Sequence, residues 1–293
     1  MDTRGTVSDI TAIQAADKGF GVFGNHTTSD GTTPTYGQNM FENQKVTYSS
    51  TEKKWEYKPV KYWPTAGHID FLAYAPYDKQ KTLSGTKFDF TVSNNVADQI
   101  DLLWANAKDQ TKANNSGKNK VNFTFKHALA KIGYSVTSTN NDASTTITVK
   151  SIKLVGSADG STNAFYTKGT IDLSKDNNDA KDLWTNTDGT KQNFTLLSSD
   201  QTLSTTKHEP KDYLFVIPQD FSSTANNLYV VVEYTVTTGK SVITNTVSHE
   251  IPKDFKQGKA YMINLKIGLT PIEFEATVGD WTNGDSIDDI EWN

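Results

Sequence analysis

Short runs of alternating or continuous β-branched and aromatic residues recur along the whole chain, separated by Gly, Asn, Asp and Pro. Such runs predict β-strands, because successive side chains of a strand point to opposite faces. We predict strands over residues 20–23, 45–48, 55–57, 68–75, 88–92, 122–125, 132–136, 145–154, 213–217, 228–236, 242–251 and 261–267. Many short strands separated by turns favour an all-β sandwich or barrel over alternating β–α units.

Two further elements follow from local signals. Residues 237–240, Thr-Thr-Gly-Lys, join two of the predicted strands and predict a hairpin connection. One short helix is predicted over residues 10–16, because Ser8 or Asp9 can cap its first turn.

A polar segment over residues 108–120 is rich in Asn, Lys and Gly and almost free of apolar side chains. A buried strand cannot have this composition, whereas a linker can. We therefore predict two domains, residues 1–114 and residues 115–293, each within the usual size range. A second polar stretch, residues 174–181, is interpreted as a long loop.

A further strand is predicted over residues 272–278, where apolar and polar residues alternate strictly. Its polar face carries Glu273, Glu275 and Thr277, and its apolar face carries Ile272, Phe274, Ala276 and Val278. Burying that apolar face contributes at most about 4–10 kcal/mol. The strand either completes its own sheet or adds to the sheet of a neighbouring copy, and the sequence leaves both interpretations open.

Composition excludes several classes of function. The chain has no cysteine, which removes disulfides, thiolate nucleophiles and cysteine metal sites. Its net charge is −5 with no basic stripe, so nucleic acid is not an expected partner. No apolar run reaches the roughly 20 residues of a spanning helix, and no apolar leader follows Met1. We expect the chain to be a trimmed, mature form of an exported protein.

Arg4 is the sole arginine and stands near the start of the chain, directly before Gly5. An arginine at a chain terminus is usually a solvated residue without a role. Its position before the predicted folded part is also what a processing site for an Arg-specific protease would look like.

No recognisable catalytic or metal motif is present. None of His26, His68, His127, His208 and His249 has metal-ligand spacing, and His127 is interpreted as a packed sheet residue.

The remaining candidate groups have ordinary structural interpretations. Asp and Asn residues at 176–179 lack the Gly and Glu of a calcium loop. No spacing selects a glycosidase pair from Glu42, Asp70, Asp98 and Asp101. The aromatic cluster of Trp55, Tyr57, Tyr62 and Trp63 is interpreted as core, with sugar stacking as the alternative. We predict no catalytic residue, no metal and no cofactor.

Several blocks resemble the fimbrillin-like proteins of Bacteroidetes in their order and spacing. They are residues 3–7, 19–24, 40–48, 55–57, 61–64, 69–76, 101–105, 123–131, 258–265 and 278–281. No single block is specific, but together they span essentially the whole chain.

This resemblance implies two tandem transthyretin-like Greek-key β-sandwiches and export as a lipoprotein to the outer membrane. It also implies that an Arg-specific protease removes a first strand, and that a C-terminal strand of the next subunit fills the space. On this sequence, processing maps to Arg4 and Gly5, and strand donation maps to Ile272, Phe274, Ala276 and Val278 or to the tail up to Trp292. The lipidated cysteine and the first strand are not in the sequence, so contact with a membrane would require a lipid that this chain lacks.

The sequence therefore predicts a non-enzymatic subunit, a pilin or adhesin, of cell-surface fimbriae. Its expected partners are other fimbrial subunits, as a homo- or hetero-polymer, and host or bacterial surface ligands. The alternative is a surface lipoprotein that binds carbohydrate or host molecules and does not polymerise.

Overall fold

The protein is nearly all β. The computed structural model describes residues 10–15, 18–28, 40–114, 120–175, 183–186, 189–210, 213–223 and 226–269. Its elements are α1 Ile10–Gln14, β1 Phe20–Thr27, β2 Phe41–Ser49, β3 Lys54–Glu56, β4 His68–Ala75, β5 Lys87–Thr91, a 3-10 turn Val96–Asp98, β6 Leu103–Gln110, β7 Lys126–His127, β8 Ala130–Ser138, β9 Thr145–Val155, β10 Phe165–Tyr166, β11 Lys168–Asp172, β12 Trp184–Asn186, β13 Lys191–Gln192, β14 Phe194–Leu197, β15 Gln201–Thr202, β16 Leu214–Val216, β17 Gln219–Asp220, β18 Tyr229–Thr238, β19 Ser241–Glu250, β20 Asp254–Phe255 and β21 Ala260–Ile267. None of the described helices is long and apolar enough to cross a bilayer.

Most predicted strands are confirmed, and the predicted helix is confirmed in shorter form. β4 has the predicted bounds, and the hairpin of β18 and β19 turns where the sequence indicates, with Thr238 opposite Ser241. Gly239 lies at a φ of +58° in that turn, which a glycine adopts without strain. The prediction for residues 122–125 is wrong, since no described strand includes them.

The strands form mostly antiparallel sheets that pack as a sandwich-like β-structure. A six-stranded sheet has the order β3-β2-β1-β4-β6-β7, and a five-stranded path has the order β14-β9-β18-β19 with β15 beside β9. The three-stranded sheet β16-β8-β21 contains a parallel pair, because β21 runs alongside β8 in the same direction.

The six-stranded sheet buries apolar side chains on both faces. Along β4, Leu72 and Tyr74 point to one side, whereas Phe71 and Ala73 point to the other. A period-2 pattern with apolar residues at both phases is typical of a strand covered on both sides. The two faces therefore belong to two different clusters, which we call the shared core and the outer core.

The shared core joins residues from both halves of the chain. Phe23, Leu72 and Trp104 of the six-stranded sheet pack in one cluster with Ile132 of β8 and Val230 of β18. Backbone pairing also crosses between the halves, since β5 pairs with β11 over five residue pairs. The boundary between residues 114 and 115, the tandem arrangement and the Greek-key topology stay predictions.

Leu72→Ala tests the shared core. Leu72 is fully buried (0% exposed), so removing its side chain leaves a cavity and lowers the free energy of unfolding by about 2–5 kcal/mol. Val242→Ala, at an exposed position of β19, is the control and changes it by less than about 0.5 kcal/mol. Urea denaturation followed by tryptophan fluorescence measures both, and equal effects of the two variants would contradict this account of the core.

Candidate strand-acceptor site

The outer core covers the second face of the six-stranded sheet. Its buried members come from α1 and from β1, β2, β4 and β6, and they are Ile13, Phe20, Val22, Phe41, Val46, Ile69, Phe71, Ala73, Ala75, Leu103 and Ala105. Only partly buried side chains pack over them: Met40, Trp55, Tyr57, Trp63, Ala107, Val121, Phe123 and Phe125. Among the described residues, this face is thus closed by half-buried side chains, five of them aromatic, and not by a second sheet.

Residues 121–125 supply three of these half-buried side chains. Val121, Phe123 and Phe125 are half-buried against the outer core, while Asn122 and Thr124 between them are exposed. The Phe125 ring lies 5.2 Å from the Phe20 ring, in an edge-to-face arrangement that favours aromatic pairs. The segment therefore has the burial alternation of a strand, with its apolar side chains packed on the outer core.

The backbone of residues 121–125 nevertheless has no ladder. Across the described chain, no backbone hydrogen bond involves these five residues, and the first pairing after them begins at Lys126 of β7. Backbone N–H and C=O groups without a partner can pair with an added strand. The alternation correctly indicated how the side chains lie but could not show that a pairing partner is missing.

The rim of the outer core contains most of the predicted aromatic cluster. Trp55 stacks edge to face on Phe20 with ring centroids 5.0 Å apart, and Tyr57 packs likewise on Phe41 at 5.5 Å. Trp63 is also half-buried here, so three of the four rings pack against the core as predicted. Tyr62 differs, because it is 82% exposed.

His127 is a partly buried residue of β7 beside a fully buried carboxylate. Its Nδ1 lies 2.9 Å from Oδ2 of Asp101, and the interpretation of a packed sheet residue is confirmed. Lys131 lies nearby, with its ammonium 3.8 Å from the centre of the Tyr213 ring. Burial lowers the pKa of Lys131, and the Asp101 carboxylate opposes this effect. These contacts link the start of the second half to the six-stranded sheet.

The other carboxylates considered above have separate surroundings. Asp70 accepts a hydrogen bond from the backbone N–H of Asp109, Asp98 accepts one from the Asn95 side chain, and Glu42 is exposed. The structure does bring His68, Asp70 and Asp109 together, a group that sequence reasoning missed. His68 and Asp70 alternate on one strand, but the approach of Asp109 depends on pairing between strands.

The predicted processing and donor residues lie outside the described residues, as does the stretch 176–179. They are Arg4, Gly5, Ile272, Phe274, Ala276 and Val278. Their roles stay predictions.

Comparison with known proteins identifies a matching family and several similar structures. A family model described as fimbrillin-like matches residues 3–281. A candidate cell adhesion protein from Bacteroides uniformis is similar in structure, with a TM-score of 0.52, 20% identity and coverage of 91% of this chain and 92% of that one.

Two other solved structures match more distantly. A candidate cell adhesion protein from Bacteroides ovatus has a TM-score of 0.46 and 16% identity, covering 96% of this chain and 90% of that one. The fimbrial anchor protein Mfa2 from Porphyromonas gingivalis has a TM-score of 0.31 and 9% identity, covering 84% and 81%. A search of curated protein sequences finds no match.

The family match extends over nearly the whole chain, from before α1 to beyond β21. It supports a role in fimbriae or in adhesion at the cell surface and confirms the resemblance seen in the sequence. The chain belongs to the fimbrillin-like family.

Proposed function

We propose that this chain is a structural, non-enzymatic subunit of cell-surface fimbriae that assembles by strand donation. In this proposal, residues 272–278 of one copy, or the tail that follows them, add to the unpaired segment 121–125 of another. The single observation that carries the proposal is the outer core, an apolar sheet face whose covering segment has no backbone partner in the described chain.

The chemistry of donor and acceptor matches. The donor presents Ile272, Phe274, Ala276 and Val278 on one face, spaced two residues apart as a β-strand requires. Added beside residues 121–125, it would place these side chains on the same apolar surface that holds Phe123 and Phe125. Main-chain hydrogen bonds would provide affinity, and the alternate side chains would provide register.

Proteolysis is the proposed trigger. A strand that already occupies the acceptor would block a donor, and its removal would expose the acceptor irreversibly. Arg4 is the sole arginine, so an Arg-specific protease has one place to cut. The proposed setting is the outer membrane surface, reached as an exported lipoprotein precursor, with other fimbrial subunits as partners.

A second candidate function rests on Tyr62. Its ring is exposed beside the half-buried Trp63, and an exposed ring of this kind can stack on a sugar. In that case the protein would be a surface lipoprotein that binds carbohydrate or host molecules without polymerising. Glycan binding that Tyr62→Ala and Trp63→Ala both abolish, in a protein that forms no polymers, would favour it.

Protease treatment of purified subunits tests donation. The test uses a precursor that still carries a strand before Arg4. We expect a ladder of oligomers that survives mild denaturant after an Arg-specific protease cuts it, because each copy contributes one donor and one acceptor. In that precursor, Arg4→Ala removes the cleavage site and should keep the chain monomeric, and deletion of residues 272–293 should do so even after cleavage. Ladders from either variant would show that the assigned trigger or donor is wrong.

A matched pair of substitutions tests which donor face is buried. Phe274→Asp places a charge on the proposed apolar face and should abolish the ladders, since burying an unpaired carboxylate is costly. Glu275→Ser, on the opposite face, should leave them unchanged. Equal ladder yields from the two variants, measured by denaturing gel densitometry, would contradict the proposed orientation.

Thr124→Pro tests the acceptor backbone. The side chain of Thr124 is exposed and its N–H has no backbone partner in the described chain, so we expect the monomer's melting temperature to stay within about 2 °C. The missing N–H should weaken pairing with an added strand and reduce ladder yield. Thr124→Ser keeps the N–H and is the control. A normal ladder yield with Thr124→Pro would show that the donor strand does not pair with the backbone N–H of Thr124.

A further inference from the structure

Three potential metal ligands meet where β4 begins and β6 ends. His68 and Asp70 are alternate residues of β4 and so lie on the same face of the six-stranded sheet. Asp109 comes from the neighbouring strand β6, one residue before its end. The side-chain ligand atoms of the three residues all lie within 4.8 Å of one another.

A β-bulge brings Asp109 to this position. Ile69 pairs with Gln110 and Phe71 pairs with Ala107, so two steps along β4 face three steps along β6. The extra residue bends the strand and redirects a side chain, which is a common use of bulges near functional sites. Asp109 has a φ of +54°, and its N–H donates to Oδ1 of Asp70 over 2.6 Å.

That hydrogen bond satisfies only one oxygen of Asp70. The residue is 8% exposed, and among the described residues no hydrogen bond reaches Oδ2. Oδ2 lies 3.8 Å from Nε2 of His68, beyond hydrogen-bond distance. The Asp70 side chain is 12% exposed, and a cation at Oδ2 would compensate the charge of this mostly buried carboxylate.

We propose that His68, Asp70 and Asp109 bind a first-row transition-metal dication of the Zn²⁺ class. An imidazole nitrogen favours such metals over Ca²⁺ or Mg²⁺, which prefer ligands that are all oxygen. Two carboxylates match the charge of a dication. Three protein ligands leave a coordination position for water, as in open zinc sites.

The distances suit this class of metal. Ligands about 2.1 Å from a tetrahedral Zn²⁺ lie about 3.4 Å apart. Nε2 of His68 is 3.8 Å from Oδ2 of Asp70 and 3.7 Å from Oδ1 of Asp109, so these two pairs need to close by only a few tenths of an ångström. The two carboxylates lie within 4.8 Å of each other and would approach further by rotation of Asp109. The Asp109 side chain is 85% exposed, which leaves it free to rotate and gives the ion a path from solvent.

Bound metal would tie β4 to β6 at one end of the six-stranded sheet. The ligands are on the face of β4 that also carries Leu72 and Tyr74, so the site belongs to the shared-core side and not to the outer core. The inference is therefore independent of strand donation.

Zinc titration of the full chain against a chromophoric chelator tests the proposal. We expect one Zn²⁺ per wild-type chain, with binding at least about tenfold weaker in His68→Gln and in Asp109→Asn. Asn tolerates a positive φ, so Asp109→Asn keeps the bulge. His208→Gln and Asp200→Asn are matched controls outside β4 and β6, and they should bind Zn²⁺ with the affinity of the wild type.

Two further readouts exclude a merely structural effect. Zn²⁺ should raise the melting temperature of wild type and of both controls but not of His68→Gln. Without metal, wild type and Asp109→Asn should melt alike. Absence of stoichiometric binding, wild-type affinity in both ligand variants, or tighter binding of Ca²⁺ than of Zn²⁺ would overturn the proposal.

Discussion

The structure depends on a six-stranded sheet that must be covered on both faces. β4 carries apolar side chains on both of its faces, with Leu72 on one side and Phe71 on the other. Each such side chain contributes about 1.5–3 kcal/mol when it is buried, so neither face can be left open to water. The rest of the chain supplies the two covers, and they differ in kind.

The shared core is covered by paired strands, whereas the outer core is covered by half-buried side chains, of which Trp55 lies on the short strand β3 and Phe123 and Phe125 lie outside any described strand. On the first side, β8, β9 and β18 contribute buried residues from paired strands. On the second side, Phe123 and Phe125 lie on a segment without backbone partners among the described residues. On that side the side chains are largely buried, but the backbone of residues 121–125 has no hydrogen-bond partner among the described residues. This asymmetry is the basis of the proposal that the segment accepts an added strand.

The same sheet accounts for the polar cluster at its end. Where apolar alternation stops, His68 and Asp70 replace the core residues of β4, and the bulge in β6 adds Asp109 beside them. The N–H of Asp109 donates a hydrogen bond to one oxygen of Asp70, and the other oxygen is a ligand in the proposed cation site. One strand, β4, therefore supplies both core residues and two ligands of the proposed metal site.

By itself, the sequence determined the all-β class, the bounds of β4, the β18–β19 hairpin and the family, because these follow from local periodicity, turn residues and the order of blocks. It also indicated that Trp55, Tyr57 and Trp63 pack inward. Only the tertiary structure decided that residues 121–125 have no ladder with the other described residues and that Asp109 meets His68. Both depend on which strands pair and in what register, and pairing joins residues far apart in the chain, beyond the reach of any local pattern.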